Sequence, residues 1–172
     1  MSLNLIIGPM RSGKTTKALE IIRTSLRTSV FAINHSLDTR YGTNQIISHD
    51  KDSYPCHQTD TLMDVTTLTN YTNSEIVVID EAHFFGDLVP FVNHSLSREK
   101  KLYVVGLNGD YRMKPIGNII DLIPMCDTIL KLSGICDICG MDAPFTKRLV
   151  TDDYQILVGD KQYSTVCRKH FN

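Results

Sequence analysis

An apolar run that leads directly into a glycine-rich turn constrains the fold of this chain more than any other feature. Residues 3–7 are mostly apolar, as in a buried strand, and the next eight residues read GPMRSGKT. This octapeptide fits the pattern G-x-x-x-x-G-K-[ST], and a segment with helical spacing of apolar residues follows it. The sequence therefore predicts a strand, a phosphate-binding loop and a helix, in that order.

The predicted loop has a specific chemical use. Its backbone N–H groups and the positive end of the helix dipole would surround the phosphates of a nucleotide. Lys14 would reach the β- and γ-phosphates, and the hydroxyl of Thr15 would ligate magnesium. ATPases, GTPases, kinases and helicases share this motif, so it predicts nucleotide binding without specifying the reaction. The predicted ATP-binding residues of the loop are Gly8, Pro9, Met10, Arg11, Ser12, Gly13, Lys14 and Thr15.

The second half of a nucleotide site is predicted in the stretch DEAHFF, residues 80–85. An apolar run ends in Asp80, which would place a carboxylate near the magnesium ion. Glu81 could orient a substrate hydroxyl and accept its proton, as in a kinase, or orient water, as in an ATPase, and the residues leave both open. The letters DEAH also name a class of helicases. A helicase needs two tandem ATPase domains, whereas 172 residues leave room for one.

The remaining apolar segments alternate between strand and helix patterns. Strands are predicted at residues 30–34, 75–79, 102–107 and 128–132, and helices at 15–26, 61–69, 88–96 and 118–123. The polar stretch 35–59 is predicted to be mostly loop, with a short strand at 45–48. The alternation predicts an α/β domain of the P-loop (RecA-like) class, with a mainly parallel sheet, helices on both faces and a ligand site at the carboxyl ends of the strands.

Two spaced pairs of soft ligands follow in the last forty residues. GICDICG contains Cys136 and Cys139, and VCRKHF contains Cys167 and His170. Three cysteines and one histidine suit a closed, tetrahedral structural zinc site. We therefore predict a nucleotide-binding domain at residues 1–132 and a small zinc-ribbon-like domain at residues 133–172, in which zinc closes a long loop.

Composition narrows the partners and the compartment. The formal net charge of -1 gives no general attraction for nucleic acid, and no segment has the roughly 18 apolar residues of a membrane span. Five cysteines without a secretory signal indicate a reducing compartment, so we expect a cytoplasmic protein. Cys56 and Cys126 lack ligand spacing and are predicted to be free thiols.

Together these segments resemble the thymidine kinase family of the cellular and poxvirus type. GPMRSGKTT is similar to the phosphate loop of that family, DTRYG and SHD to its second nucleotide segment, and DEAHFFGDLVPF to its magnesium and base segment. LNGDYRMKPIGNIIDLIP is similar to its acceptor-binding turn, and FTKRL, Tyr163 and VCRKHF follow in the order of its zinc domain and lasso loop. The resemblance covers nearly the whole chain.

The resemblance implies an ATP-dependent kinase that phosphorylates the 5′-hydroxyl of thymidine and deoxyuridine in nucleotide salvage. It implies that Glu81 is the general base, that Asp80 binds magnesium, and that Asp38 and Arg40 belong to the ATP site. It also implies a homotetramer, and a lasso clamped by zinc that excludes water. The implied substrate-binding residues are Met10, Phe84, Leu107, Tyr111, Phe145, Thr146, Arg148, Gln155, Ile156, Leu157, Val158, Gly159 and Tyr163.

Some residues differ from the usual pattern of the family. Arg11 stands where phenylalanine is frequent, His83 where glutamine is common, Asn108 where aspartate is usual and Ile116 where phenylalanine is usual. None of these changes removes a phosphate, magnesium or base residue. Of the adjacent aromatics at residues 84 and 85, we expect one at the nucleoside and the other in the core.

Overall fold

The structure is a computed structural model that describes residues 1–25, 27–38, 44–48, 51–151, 154–157, 159 and 161–171. Two predicted site residues, Arg40 and Val158, lie outside the described residues. So do the end of the predicted first helix and most of the DTRYG and SHD segments.

Strands and helices alternate along the first part of the chain, and short strands dominate its end. The strands are β1 (Ser2–Gly8), β2 (Val30–His35), β3 (Gln45–Ile47), β4 (Ser53–Pro55), β5 (His57–Thr59), β6 (Ile76–Ile79), β7 (Lys101–Leu107), β8 (Thr128–Lys131), β9 (Gly134–Ile135), β10 (Asp142–Ala143), β11 (Phe145–Arg148) and β12 (Tyr163–Val166). The α-helices are α1 (Lys14–Thr24), α2 (Thr69–Thr72), α3 (Leu88–Ser97) and α4 (Arg168–Phe171), and 3₁₀ helices span Leu62–Thr67, Ala82–Phe84 and Ile119–Met125.

The central sheet has six strands in the order β5, β2, β6, β7, β1, β8. Every neighbouring pair in it is parallel. This confirms the predicted parallel α/β sheet, with small shifts at the strand ends. The edge strand β5 was not predicted, because its residues, His57 to Thr59, are polar and carry no apolar pattern.

Alternation along the strands places apolar side chains on both faces of the sheet. Leu3 and Leu5 of β1 join one core cluster with Phe91 of α3, whereas Ile6 joins a second cluster with Leu19 of α1. Each of these five side chains is at most 3% exposed, and burying one such side chain contributes roughly 1.5–3 kcal/mol. Helices therefore cover both faces, as predicted.

Two predicted helices have a different geometry. The segment predicted as a helix at 61–69 forms the 3₁₀ helix Leu62–Thr67 and then α2. It is rich in threonine, whose hydroxyls compete for backbone carbonyls, as in the 2.7 Å bond from Thr66 Oγ1 to Met63 O. The helix predicted at 118–123 falls in the 3₁₀ helix Ile119–Met125, which contains Pro124, a residue that cannot donate an amide hydrogen bond.

A small module follows the sheet, and we call residues 134–171 the cysteine module. Its short strands pair antiparallel, β9 with β10 and β11 with β12, and α4 closes the chain. The division at residues 132 and 133 stays a prediction. Among the residues that the structure describes, no helix combines the length and the apolar character needed to cross a membrane.

Candidate active site

A cavity lies at the carboxyl ends of β1, β6 and β7, between the phosphate loop and the cysteine module. This is the edge of a parallel sheet where ligands bind. Most of the predicted site residues line the cavity. They are Met10, Arg11, Ser12, Gly13, Lys14, Thr15, Asp38, Glu81, Phe84, Leu107, Tyr111, Thr146, Gln155, Ile156, Leu157, Gly159 and Tyr163.

The loop between β1 and α1 is tightly curled. Lys14 Nζ donates to the carbonyl of Pro9 over 2.6 Å, and Ser12 Oγ donates to the same carbonyl over 2.9 Å. Gly13 has a φ of 81°, in the left-handed region that favours glycine. A Cβ on Gly8 would lie 2.6 Å from the carbonyl oxygen of Leu132, so only glycine fits there. The loop therefore has the compact form that a phosphate cradle requires.

Asp80 and Glu81 follow β6 as a buried carboxylate pair. Asp80 is 3% exposed and accepts a 3.0 Å hydrogen bond from the backbone N–H of Glu81. Burial and the Glu81 carboxylate raise the pKa of Asp80, while that N–H and the hydroxyl of Thr15 act in the opposite direction. A divalent cation beside Thr15 and Asp80 would favour the ionised form, so these oxygen ligands suit magnesium.

The backbone at Glu81 is strained. Its φ of 49° and ψ of 36° lie in the left-handed region, which is rare for a residue with a side chain. Strain of this kind costs about 1–3 kcal/mol and is concentrated at functional sites. Here it turns the Glu81 carboxylate into the cavity, while Asp80 stays beneath the phosphate loop.

His83 lies beside the Glu81 carboxylate. Its Nδ1 is 3.6 Å from Glu81 Oε2 and accepts a 3.3 Å hydrogen bond from the N–H of Leu107. An Nδ1 that accepts this bond leaves the proton of the neutral ring on Nε2. A Cβ on Gly106 would lie 3.1 Å from this nitrogen, so a larger residue there would displace the ring by a few tenths of an ångström. The imidazole is thereby held against the carboxylate.

The two adjacent aromatics separate as predicted. Phe84 is partly exposed and lines the cavity, whereas Phe85 is 1% exposed and belongs to the sheet core. A second alternation separates two predicted substrate residues. Phe145, predicted to contact substrate, packs against Phe171 with 5.5 Å between ring centroids and does not line the cavity. Thr146, the next residue of β11, does, because successive strand residues point to opposite sides.

Residues 154–157 and 159, which we call the lasso, are held over the cavity by the side chains of Arg148 and Tyr163. Arg148 Nη2 donates to the carbonyl of Gln155 over 3.1 Å and to Tyr163 Oη over 2.7 Å. Tyr163 Oη also accepts a 3.2 Å hydrogen bond from the N–H of Leu157. The guanidinium of Arg148 stacks 3.8 Å above the ring of Tyr111 and lies outside the cavity lining.

Gln155 joins the lasso to the turn after β7. Its Nε2 donates to Asp110 Oδ2 and to the carbonyl of Pro115, each over 3.0 Å. Asp110 is buried, and its Oδ1 accepts from the N–H groups of Arg112 and Lys114 over 2.8 and 2.9 Å. The lasso and this turn therefore enclose the end of the cavity that lies away from the phosphate loop.

The predicted zinc ligands come together in the cysteine module. The ligand atoms of Cys136, Cys139, Cys167 and His170 lie within 4.8 Å of one another. The Sγ atoms of Cys139 and Cys167 are 3.8 Å apart, and His170 Nδ1 is 3.6 and 3.3 Å from the Sγ atoms of Cys136 and Cys167. Zinc bond lengths predict tetrahedral edges of about 3.8 Å between sulfurs and about 3.6 Å between sulfur and nitrogen. The cluster therefore fits zinc.

The surroundings of Cys136 favour its thiolate form. Burial raises its pKa, but hydrogen bonds from the backbone of Cys167, Ile138 and Cys139 and from His170 lower it to about 6. Because the thiolate is the form that binds metal, this environment favours a cation at the cluster.

Comparisons with known proteins agree with this geometry. The family model described as thymidine kinase matches residues 1–171. The chain belongs to the thymidine kinase family. It is 37% identical over 177 residues to thymidine kinase a of Arabidopsis thaliana, covering 99% of this chain and 74% of that protein. It is 37% identical over 170 residues to the thymidine kinase of Variola virus, with 97% and 94% covered, and 35% identical over 170 residues to that of Yaba monkey tumor virus, with 96% and 92% covered.

Most of the residues implied by the thymidine kinase resemblance thus meet at one cavity. Among the described residues, the predicted ATP- and substrate-binding residues that do not line it are Gly8, Pro9, Asp80, Phe145 and Arg148. Sequence reasoning did not assign His83, Asp110 or Ile116 to the site, although all three line the cavity. His83 and Ile116 stand out in the sequence only as departures from the family, and Asp110 gives no signal because an acid in a turn is common.

Proposed function

We propose that this chain transfers the γ-phosphoryl group of ATP to the 5′-hydroxyl of thymidine, and of deoxyuridine, as a step of nucleotide salvage. The observation that carries the proposal is one cavity with the phosphate loop at one end, Glu81 beside it and the lasso at the other end. Membership of the thymidine kinase family supports the choice of nucleoside.

The donor end is proposed to hold ATP through the phosphate loop. Backbone N–H groups of residues 11–15 and the ammonium of Lys14 would bind the phosphates, with Asp38 and Arg40 completing the site. Thr15 and Asp80 are the proposed ligands of magnesium, which would neutralise charge on the β- and γ-phosphates. The hydroxyl of Thr15 counteracts the rise in the pKa of the Asp80 carboxyl, which indicates that the two proposed ligands lie close together.

Glu81 is the proposed general base. Its carboxylate would accept the proton of the 5′-hydroxyl as the 5′-oxygen bonds to the γ-phosphorus and the bond to the β-phosphate oxygen breaks, which leaves ADP. The left-handed backbone conformation at Glu81 directs this carboxylate into the cavity. A fixed orientation matters because the carboxylate can accept the proton only when it lies within hydrogen-bond distance of the hydroxyl.

The acceptor end is proposed to hold the thymine ring. Met10, Phe84, Leu107 and Tyr111 supply apolar and aromatic contacts, and the main chain of the lasso supplies hydrogen bonds. A closed lasso would also exclude water, so that ATP is not hydrolysed. The family resemblance implies that Arg148 binds substrate, and its contacts with the lasso and Tyr111 favour a role in holding the lasso.

Zinc is proposed to be structural. Cys136, Cys139, Cys167 and His170 would fill all four tetrahedral positions, so none remains for a catalytic water. The ligands fix both ends of the long connection that carries β11 and the lasso. Zinc therefore acts here by keeping the acceptor end of the cavity in place.

The remaining expectations from the family are also proposals. We propose a cytoplasmic homotetramer with a nucleotide-binding domain at residues 1–132 and a zinc domain at residues 133–172. Nucleic acid is not a proposed partner, since the net charge is -1.

A nucleoside panel tests the proposal. The purified protein is incubated with ATP, magnesium and one nucleoside at a time, and the monophosphates are separated and identified by mass. Thymidine and deoxyuridine should be phosphorylated, and deoxycytidine and deoxyadenosine should not. Phosphorylation of another nucleoside but not of thymidine would contradict the proposed substrate. ATP hydrolysis stimulated only by single-stranded DNA would contradict the proposed kinase activity.

A further inference from the structure

We propose that Arg11, Asp137 and Thr165 form a clamp that positions the phosphate loop on the zinc knuckle, residues 136–139, and so sets the affinity for ATP. The inference rests on the proposed ATP site. It assigns positioning roles to Asp137 and Thr165, which belong to the cysteine module, and a positioning role to the side chain of Arg11.

The clamp begins with the main chain of Met10, at the top of the phosphate loop. Its carbonyl accepts a 2.9 Å hydrogen bond from Thr165 Oγ1, and its N–H donates a 3.0 Å hydrogen bond to Thr146 Oγ1. Thr165 is 1% exposed and Thr146 is 5% exposed, so water does not compete for these bonds. The N–H and the carbonyl group of Met10 are therefore both hydrogen-bonded to the neighbouring strands, β11 and β12.

Arg11 extends the same contact through its side chain. Its Nη1 lies 3.3 Å from Asp137 Oδ2, and its Nη2 donates to the carbonyl of Tyr163. The φ of Arg11 is 53°, a left-handed conformation that costs energy in a residue with a Cβ. Tertiary contacts must therefore hold this peptide, and the clamp supplies them. The orientation of the loop N–H groups follows from this backbone geometry.

Asp137 connects the clamp to the zinc ligands. It lies in the knuckle between Cys136 and Cys139, and its Oδ2 also accepts from Ser164 Oγ over 2.7 Å and from the N–H of Thr165 over 2.9 Å. This one carboxylate oxygen of a knuckle residue thus contacts both β12 and the phosphate loop. A displacement of the knuckle would be transmitted to Met10 through the hydrogen-bonded residues Asp137 and Thr165.

Close packing leaves little room for the loop to move independently. A Cβ on Gly134 would lie 2.7 Å from Thr165 Cγ2 and 3.2 Å from the carbonyl oxygen of Arg11. The chain that leads into the knuckle therefore touches the phosphate loop directly. Because packed interfaces transmit displacement, the position of the zinc site is expected to affect the position of the loop.

The ion pair and the Thr165 hydrogen bond should contribute unequally to ATP affinity. The side chains of Arg11 and Asp137 are 34% and 40% exposed, so water and salt weaken their attraction. The Thr165 bond is buried, and loss of such a bond changes affinity by about three- to tenfold. The clamp should therefore depend more on Thr165 than on the ion pair.

The test measures binding of the methylanthraniloyl derivative of ATP with magnesium, together with steady-state kinetics. Thr165→Val keeps the shape and removes the hydroxyl, and it should raise the dissociation constant and the KM for ATP about three- to tenfold. The KM for thymidine should change less than twofold. Thr165→Ser, which keeps the hydroxyl, should restore the affinity. Thr72→Val on α2, where Oγ1 donates to the carbonyl of Leu68, is the matched control and should bind like the wild type.

The ion pair is tested by a double-mutant cycle with Arg11→Met and Asp137→Asn. The double variant should be about as weak in ATP binding as the weaker single variant, and zinc content should stay at one equivalent throughout. Equal ATP affinity in the wild type and Thr165→Val, or no rescue by serine, would overturn the clamp, and so would strictly additive effects in the cycle. A wild type that phosphorylates thymidine while the variants bind normally would reject the clamp alone. A wild type that binds no ATP would reject the proposed function and the clamp together.

Discussion

The parallel sheet and the cysteine module are stabilised in different ways. The sheet is covered on both faces by extended apolar clusters that include α1 and α3. The buried apolar residues of the cysteine module's own cluster are Cys136, Ala143 and Val166, and one of these is a proposed metal ligand. A unit of about forty residues rarely folds on apolar burial alone. The sheet should therefore fold without metal, while the module should need it.

The same two regions divide the proposed chemistry. The sheet presents the phosphate loop, Asp80 and Glu81 at its carboxyl edge, where phosphoryl transfer needs charge and fixed geometry. The module presents β11, β12 and the lasso, which line the proposed acceptor end of the cavity. Stability and function can thus be disrupted separately in each region.

Removing zinc should disrupt the module and leave the sheet. Cys139→Ser should abolish zinc binding, because it removes one of four ligands. Hydrogen exchange measured by mass spectrometry should then show lost protection in β9 to β12 and retained protection in β1 and β7. Cys126→Ser, outside the cluster, is the control and should keep about one equivalent of zinc. Equal loss of protection in both regions would contradict the comparison.

Glu81→Gln should slow phosphoryl transfer at the carboxyl edge of the sheet without unfolding either region. Turnover should fall by about 10²–10⁴-fold, the usual contribution of a positioned base, while ATP binding stays within a fewfold. Single-turnover kinetics and fluorescent-nucleotide binding measure the two effects. Glu75→Gln, an exposed glutamate just before β6, should behave like the wild type. Unchanged turnover in Glu81→Gln would exclude the base role.

Phe91→Ala should destabilise the sheet by about 3–5 kcal/mol, because Phe91 is 0% exposed in the cluster beneath α3. Urea denaturation monitored by far-UV circular dichroism gives the free energy of unfolding. Ile138→Ala, which truncates a 62% exposed side chain of the zinc knuckle, should change it by less than about 0.5 kcal/mol. Similar effects of the two substitutions would mean that burial does not distinguish the regions.

Lys100→Met should have the smallest effect, a loss of about 1–3 kcal/mol. Lys100 is 4% exposed, and its Nζ donates to the carbonyls of Tyr71 and Ser74, each over 2.7 Å. Methionine keeps much of the volume but leaves buried acceptors without this donor. The same denaturation assay applies, with the exposed neighbour Lys101→Met as the control. No loss of stability in Lys100→Met would show that water replaces the ammonium there.

The sheet could be predicted because its strands are apolar along their length. β6, for example, contains only isoleucine and valine, and it ends beside the acid that the site requires. β5 could not be predicted, since His57, Gln58 and Thr59 form a strand only because they pair with β2 at the sheet edge. Tertiary pairing of this kind leaves no periodic signal in the sequence.

Site residues could be predicted where the chemistry requires a fixed spacing in the sequence. They could not be predicted where tertiary packing brings distant residues together. The phosphate loop and the zinc ligands have fixed spacings, so their positions could be predicted before the fold was known. The contacts of Arg11 with Asp137 and of Gln155 with Asp110 join residues far apart in sequence. Nothing in the local sequence indicates such pairs, because they depend on how the module lies on the sheet.

We propose that this site moves a phosphoryl group from ATP to the 5′-oxygen of thymidine. Two analogues, 3′-deoxythymidine and 5′-deoxythymidine, test this transfer when they are assayed under single-turnover conditions with the wild type and Glu81→Gln. The wild type should phosphorylate 3′-deoxythymidine and not 5′-deoxythymidine, and Glu81→Gln should be slower on 3′-deoxythymidine by about 10²–10⁴-fold. Phosphorylation of 5′-deoxythymidine, or of neither analogue nor thymidine itself, would contradict it.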